Sequence, residues 1–363
     1  AWSQGVRTYC WDREGKAIYA CRNDKATSRL WRLDVESGER SELRLGDEYT
    51  WIEQPALSPG GALAVIASGP HVPKRIVTVA PEAEARPARC LARAASEIVP
   101  PEALSAPRAL SWVAEGGEAV HGLYYAPASQ TCFGEGAPPL MVLVHGGPTG
   151  QATTSYASQA QFFATRGYAV LDVNYRGSAG YSRRYRNLLR GHWGLYDADD
   201  AVTGARYLCQ QGLADAARLV IMGGSAGGYT VLQALIRYPG VFRAGLCLYG
   251  VTNLFTLASD THKFEQHYLD SLIGPLPREA QRYRERSPIF HAERIQDPVA
   301  VFQGDEDRVV PPAQAEAIVQ ALRRSGVPHL YRVYAGEGHG WRKAETISAF
   351  YQDVLRFLKE FVL

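Results

Sequence analysis

Along the first hundred residues, apolar positions fall in short runs broken by turn residues. From about residue 109 they fall in near-continuous blocks separated by longer mixed stretches. In the first region 17–21, 29–33 and 62–67 read as strands. Glu14-Gly15, Ser37-Gly38 and Ser58-Pro59-Gly60-Gly61 mark turns between them. The order of strand, Leu33-Asp34-Val35-Glu36-Ser37-Gly38-Glu39 and strand is repeated from about Trp51 to Leu91. A period of about 40 residues suits the four-stranded blade of a β-propeller, with a small β-sandwich as the plainer alternative. Two such units cannot close a propeller. Residues 82–107 are rich in Ala, Pro and Arg and read as the last strand's exit and a linker.

In the second region Leu140–Val144, 169–173, 219–222, Ala244–Leu248, 299–302 and 330–334 are short apolar blocks. Such blocks suit parallel strands buried on both faces. Between or after them, 158–166, 197–211, 228–238, 313–325 and Ala344–Phe361 carry helical periodicity. Strand–helix alternation over about 250 residues predicts an α/β fold with a doubly wound, mostly parallel sheet. The expected division is a partial propeller-like domain over 1–98 and a catalytic α/β domain over 99–363.

Composition narrows the function classes. The 363 residues carry 39 Lys+Arg against 37 Asp+Glu, a net charge of +2, which gives no electrostatic case for nucleic acid or an anionic membrane. No apolar run approaches the roughly 18 residues of a membrane span. Six scattered cysteines without a CxxC read as free thiols in a reducing compartment, so the expected location is cytoplasmic. Residue 1 is Ala, and Ala1-Trp2-Ser3-Gln4 is neither a basic nor an apolar targeting segment. The chain is therefore expected to begin mid-domain, as a fragment or a processed product.

Gly223-Gly224-Ser225-Ala226-Gly227 is a G-x-S-x-G between an expected strand and an expected helix, the context of a nucleophile elbow. A serine nucleophile needs a base, and the base needs an orienting carboxylate. Asp305, Glu306 and Asp307 follow the strand at 299–302 and compete for that role. His339 lies in the Gly-flanked loop after the next strand, where the base should be. His262, His267, His291 and His329 lack that context. His145-Gly146-Gly147-Pro148 follows the strand Leu140–Val144, where such a turn supplies one oxyanion N–H; the N–H of Ala226 would supply the second. The chain has no phosphate-loop motif, no HExxH and no zinc spacing. Nothing in it requires a metal or organic cofactor. The run Asp197-Ala198-Asp199-Asp200 reads as structural, with negative charge at a helix start.

Together His145-Gly146-Gly147-Pro148, Asn174-Tyr175-Arg176-Gly177-Ser178, the elbow, the 304–311 turn and Gly336-Glu337-Gly338-His339 resemble the prolyl oligopeptidase family of serine peptidases. The likeness is to its acylaminoacyl-peptidase and dipeptidyl-aminopeptidase branch, including puromycin hydrolase-type aminopeptidases. Asp260-Thr261-His262-Lys263-Phe264-Glu265 and Tyr283-Arg284-Glu285-Arg286-Ser287-Pro288 share in it. It is close over about 100–363 and only architectural before that. The resemblance implies an α/β-hydrolase fold, with Ser225 as nucleophile, Asp307 as the carboxylate and His339 as base. It implies Gly147 and Ala226 as oxyanion donors, and Phe264 and Val310 as pocket-lining positions. The implied substrate is a short peptide or aminoacyl amide cleaved by an exopeptidase; a homo-oligomer stays open. A carboxylesterase, a catalytically impaired fragment and a non-catalytic scaffold are the competing readings.

Overall fold

The computed structural model describes residues 5–80, 88–130, 134–260 and 267–363. The chain forms two compact units: Ala1–Pro107 with Ala128–Cys132 and Thr153–Arg166, and Arg108–Pro127 with Phe133–Ala152 and Gly167–Leu363.

The first unit holds two antiparallel four-stranded sheets. One is β1 (Tyr9–Trp11), β2 (Ala17–Asp24), β3 (Thr27–Asp34) and β4 (Arg40–Leu43), in that spatial order. The other is β5 (Trp51–Leu57), β6 (Leu63–Gly69), β7 (Val72–Val79) and β8 (Arg89–Arg93). The β2–β3 register runs from Ala17 opposite Asp34 to Asp24 opposite Thr27, so a two-residue turn closes the hairpin. Leu30, Ile52, Leu63, Val65, Ala67 and Val77 form the core of this unit. Two four-stranded meanders in succession fit the propeller-like reading of the sequence. Helix α1 (Ser158–Ala164) also belongs here, and its Gln161 receives the N–H of Ser105 at 2.9 Å and donates to the Ser105 carbonyl at 2.8 Å.

The second unit is an eight-stranded sheet of β9 (Arg108–Val113), β10 (Ala119–Tyr125), β11 (Leu140–Val144), β12 (Ala169–Asn174), β13 (Leu219–Gly224), β14 (Ala244–Leu248), β15 (Val299–Gly304) and β16 (His329–Tyr334). Its order is β16-β15-β14-β13-β11-β12-β10-β9. β11 to β16 pair in parallel, while β10 runs antiparallel to β12 and β9. Strands β11 and β14 are buried at every position, as their unbroken apolar sequence requires. The helices are α2 (Arg183–Asn187), α3 (Tyr196–Gln210), α4 (Ala226–Arg237), α5 (Leu254–Asp260), α6 (Tyr268–Leu272), α7 (Ala280–Glu285), α8 (Pro312–Arg324) and α9 (Ala344–Phe361). This is the mostly parallel α/β sheet that the strand–helix alternation predicts, in the α/β-hydrolase form that the resemblance implies.

Several boundaries differ from the sequence reading by a few residues, and three of the differences involve glycines. β13 and β15 continue to Gly224 and Gly304, because these glycines pair with Leu248 and Tyr334 across the sheet. Helix α4 begins at Ala226, two residues early, with both glycines inside its first turn. Packing outweighs their poor helix propensity.

Candidate active site

Ser225 stands between β13 and α4 with φ 59° and ψ −124°. A non-glycine residue held there costs on the order of 1–3 kcal/mol and persists only where its surroundings enforce it. Here the Ser225 N–H donates to the Leu248 carbonyl at 3.0 Å, and the Ser225 carbonyl receives the N–H of Tyr229 at 3.0 Å. A Cβ on Gly223 would lie 2.5 Å from the Gly227 carbonyl; one on Gly227 would strike the Val144 carbonyl. Strand and helix therefore meet backbone to backbone, which is what the glycines of the motif permit. The Ser225 side chain makes no capping bond to α4.

The 145–148 turn lies against this elbow. A Cβ on Gly146 would stand 3.1 Å from the Gly224 carbonyl and 3.5 Å from Ser225 Cβ. Gly147 has φ +117°, a conformation that side chains rarely adopt, and is followed by a cis bond to Pro148. Ala226 opens α4, so its N–H has no partner within the helix. The last residue of β12 and those after it brace the turn. Tyr175 Oη donates to the Pro148 carbonyl at 2.5 Å, Asn174 exchanges two bonds with the Ala152 backbone, and Ser178 Oγ meets His145 Nε2 at 2.7 Å. Arg176 in turn forms a buried ion pair with Asp200 at 2.7 Å. Burial pushes the His145 imidazole down to about 4, against the pull of the Gly146 carbonyl, so it is neutral near pH 7.

Asp307 follows β15 and its carboxylate accepts four hydrogen bonds. Oδ1 receives the N–H groups of Val309 (2.9 Å) and Val310 (3.0 Å); Oδ2 receives Gln303 Nε2 (3.2 Å) and faces His339 Nδ1 at 2.8 Å. Burial acts to raise this carboxyl, but the hydrogen bonds and the charge of His339 hold it below the ordinary value. Bonding at Nδ1 leaves Nε2 as the outward nitrogen of the imidazole. Asp305 and Glu306, left as alternatives by the spacing, are exposed, and Asp305 Oδ1 instead holds the N–H of Gly336 at 2.6 Å.

The loop carrying His339 is fastened by Glu337, which is 2% exposed. Its two carboxylate oxygens receive the N–H groups of Arg342 and Lys343, each at 3.0 Å, and its carbonyl receives the N–H of Glu306 at 3.0 Å. Burial would raise this carboxyl, but the backbone bonds keep it low. Tyr249, directly after β14, completes the surroundings: its ring centroid is 4.7 Å from that of His339. Neither Glu337 nor Tyr249 was singled out from the sequence. Glu337 lies within a quoted motif, but nothing in its spacing marked a loop clasp.

Val310 is 1% exposed; its N–H goes to Asp307 and its carbonyl to Gln303 Nε2 at 3.1 Å. Phe264 and His262 lie outside the described residues. Asp197 and Asp200 open α3 but are fully buried, so the helix dipole is not their main partner. Asp197 accepts the Gly194 N–H and the Thr230 hydroxyl, each at 2.6 Å. Among the described residues no group of three or more His, Cys, Asp or Glu is placed to hold a metal ion, and no helix is long and apolar enough to cross a membrane.

The model of the prolyl oligopeptidase family matches residues 154–362. Dipeptidyl aminopeptidase BIII of Pseudoxanthomonas mexicana is 35% identical over 217 residues, 58% of this chain and 32% of that protein. An acylamino-acid-releasing enzyme of Arabidopsis thaliana is 26% identical over 244 residues, 64% of this chain and 32% of that protein. The solved structure of a Mycobacterium tuberculosis puromycin-hydrolyzing peptidase aligns with a TM-score of 0.92 at 37% identity, over 99% of this chain and 54% of that one. The chain thus spans about half of that structure, and its match covers about a third of each of the two relatives.

Proposed function

Because the chain belongs to the prolyl oligopeptidase family, we propose that it carries the catalytic machinery of a serine peptidase that cleaves short peptides or aminoacyl amides through an acyl-enzyme. The observation that carries this reading is the 2.8 Å bond between Asp307 and His339, formed on the loops after β15 and β16, together with Ser225 at a strained strand-to-helix turn. In the proposed reaction Ser225 Oγ attacks the acyl carbon and His339 Nε2 takes its proton. Asp307 orients the imidazole and stabilises its charged form. The N–H groups of Gly147 and Ala226 receive the oxyanion. His339 then protonates the leaving amine, and water, deprotonated by His339, releases the acid.

The names of the relatives, a dipeptidyl aminopeptidase, an acylamino-acid-releasing enzyme and a puromycin-hydrolyzing peptidase, support an exopeptidase. The free cysteines Cys10, Cys21, Cys90, Cys209 and Cys247 fit a reducing, cytoplasmic setting. The test is a fluorogenic panel of free aminoacyl, dipeptidyl and N-acylated aminoacyl amides and one simple ester, with Ser225→Ala as control. Serine-dependent cleavage of amides with a free amino terminus supports the aminopeptidase form, and cleavage of blocked amides the acylaminoacyl form. Turnover of the ester alone replaces the reading with a carboxylesterase. Amide cleavage that persists in Ser225→Ala removes Ser225 as nucleophile.

A further inference from the structure

We infer that Tyr249 is a positioning residue of this site: its ring is the wall that holds the His339 imidazole against Asp307 and beside the Ser225 elbow. The inference rests on the roles proposed above for Ser225, Asp307 and His339.

Three observations carry it. First, the backbone of Tyr249 is held where side chains are rare, at φ 37°, by its N–H donating to the Phe302 carbonyl at 2.7 Å. The next residue is hemmed in as well, since a Cβ on Gly250 would lie 2.5 Å from Cys247 Sγ. An over-determined, unfavourable backbone at a reactive centre is a reason to look for what its side chain does.

Second, the ring touches both halves of the site. It is tilted 58° against the His339 ring at 4.7 Å, and meets Trp341 edge-on at 5.4 Å. A Cβ on Gly224, the residue before Ser225, would lie 2.8–3.0 Å from its ring atoms and hydroxyl. A Cβ on Gly340, the residue after His339, would lie 3.8 Å from the hydroxyl. The ring thus lies close to the neighbours both of the proposed nucleophile and of the proposed base.

Third, the phenol is not set up for proton transfer. Burial, and then the negative charge of Asp307, push it up to about 12, so it stays neutral wherever His339 works. What remains is shape. An imidazole held only through Nδ1 can swing about its side-chain bonds, and Ser225 Oγ is served by one of the positions it reaches. A ring packed on one face removes the others and keeps water from the Asp307–His339 bond, which strengthens that bond. Misplacement of a reacting group by about 1 Å can cost on the order of a hundredfold in rate.

The test compares Tyr249→Phe and Tyr249→Leu in the full chain, reading fluorophosphonate labelling of Ser225 and the downfield proton resonance of His339 Nδ1–H. The expected result for Tyr249→Leu is a first-order labelling rate lower by roughly tenfold to a hundredfold. Its apparent probe affinity should stay within about threefold and the resonance should broaden or vanish. Tyr249→Phe keeps the wall and should keep rate and resonance. A folded Tyr249→Leu with an undiminished labelling rate and an intact resonance overturns the inference. If Tyr249→Leu does not fold, Tyr249→Met is read by the same criteria; if that variant also unfolds, Tyr249 serves the core alone and the inference falls. Failure of the unmodified chain to label at Ser225 is a different outcome: it removes the functional reading on which the inference stands.

Discussion

In β2 of the first unit Ala17 and Tyr19 are buried while Ile18 between them and Ala20 after them are partly exposed; in β11 and β14 of the second unit every residue is buried. The first pattern belongs to antiparallel strands with one face toward solvent, the second to parallel strands covered on both faces. The difference decides where chemistry can sit. A strand buried on both faces has no side from which to present a polar group, so reactive residues collect at the loops beyond its carboxyl end. Gly147, Ser225, Asp307 and His339 follow β11, β13, β15 and β16. The first unit instead leaves Tyr9, Trp11 and Leu91 about half-exposed on its short strands.

The sharpest way to separate the units is through activity. Ser225→Ala should lower kcat by about 10⁶-fold and Asp307→Asn by about 10⁴-fold, with unfolding midpoints near that of the unmodified chain. Steady-state rates and thermal melts check both. A smaller but structural effect is expected from Gly227→Val, which drives a side chain into the Val144 carbonyl and should destabilise by about 3 kcal/mol or more in denaturant unfolding.

Buried carboxyls of the second unit and a paired carboxyl of the first should also answer pH with opposite sign. In the second, burial pushes Asp197 and Asp200 up to about 6, against the bonds that Thr230 and Arg176 make to them. A carboxyl whose folded value is raised binds more protons folded than unfolded, so its contribution to stability falls as pH rises from about 4 to about 6. In the first unit Glu97 is held low, chiefly by its hydrogen bonds from Arg75. Its contribution is present above the ordinary carboxylate value and is lost as pH falls through the depressed one. Denaturant unfolding at pH 4, 5 and 6 should show Asp197→Asn weakening the loss of stability toward pH 6; an unchanged slope would count against a buried, raised Asp197. The smallest effect is expected from Arg75→Ala, which breaks the largely buried pair with Glu97 and should cost about 1 kcal/mol.

Much of this was legible because the signals were local. The apolar blocks 140–144 and 244–248 could be read residue by residue, and the order of Ser225, Asp307 and His339 follows the order of their strands. The choice of Asp307 over Asp305 and Glu306 was not local. It came from the resemblance, and the bond between Asp307 and His339 supports it. Tyr249 was invisible because a tyrosine at φ 37° carries no mark in sequence, unlike a glycine. Asp197 and Asp200 looked like charges for a helix end because their partners, Thr230 and Arg176, are 33 and 24 residues away. The short helices α2, α5, α6 and α7, of five to seven residues, fall below the length at which periodicity speaks.

The sheet order has a consequence in time. β16 is an edge strand, paired only with β15, and His339 hangs from the loop that follows it. During synthesis the proposed nucleophile Ser225 emerges first, the proposed carboxylate Asp307 some 80 residues later, and the proposed base His339 last of the three. A growing chain, or one cut short before residue 339, therefore presents a serine with nothing to take its proton. By this arrangement the proposed triad is incomplete until the last strand of the sheet and the loop after it have been made.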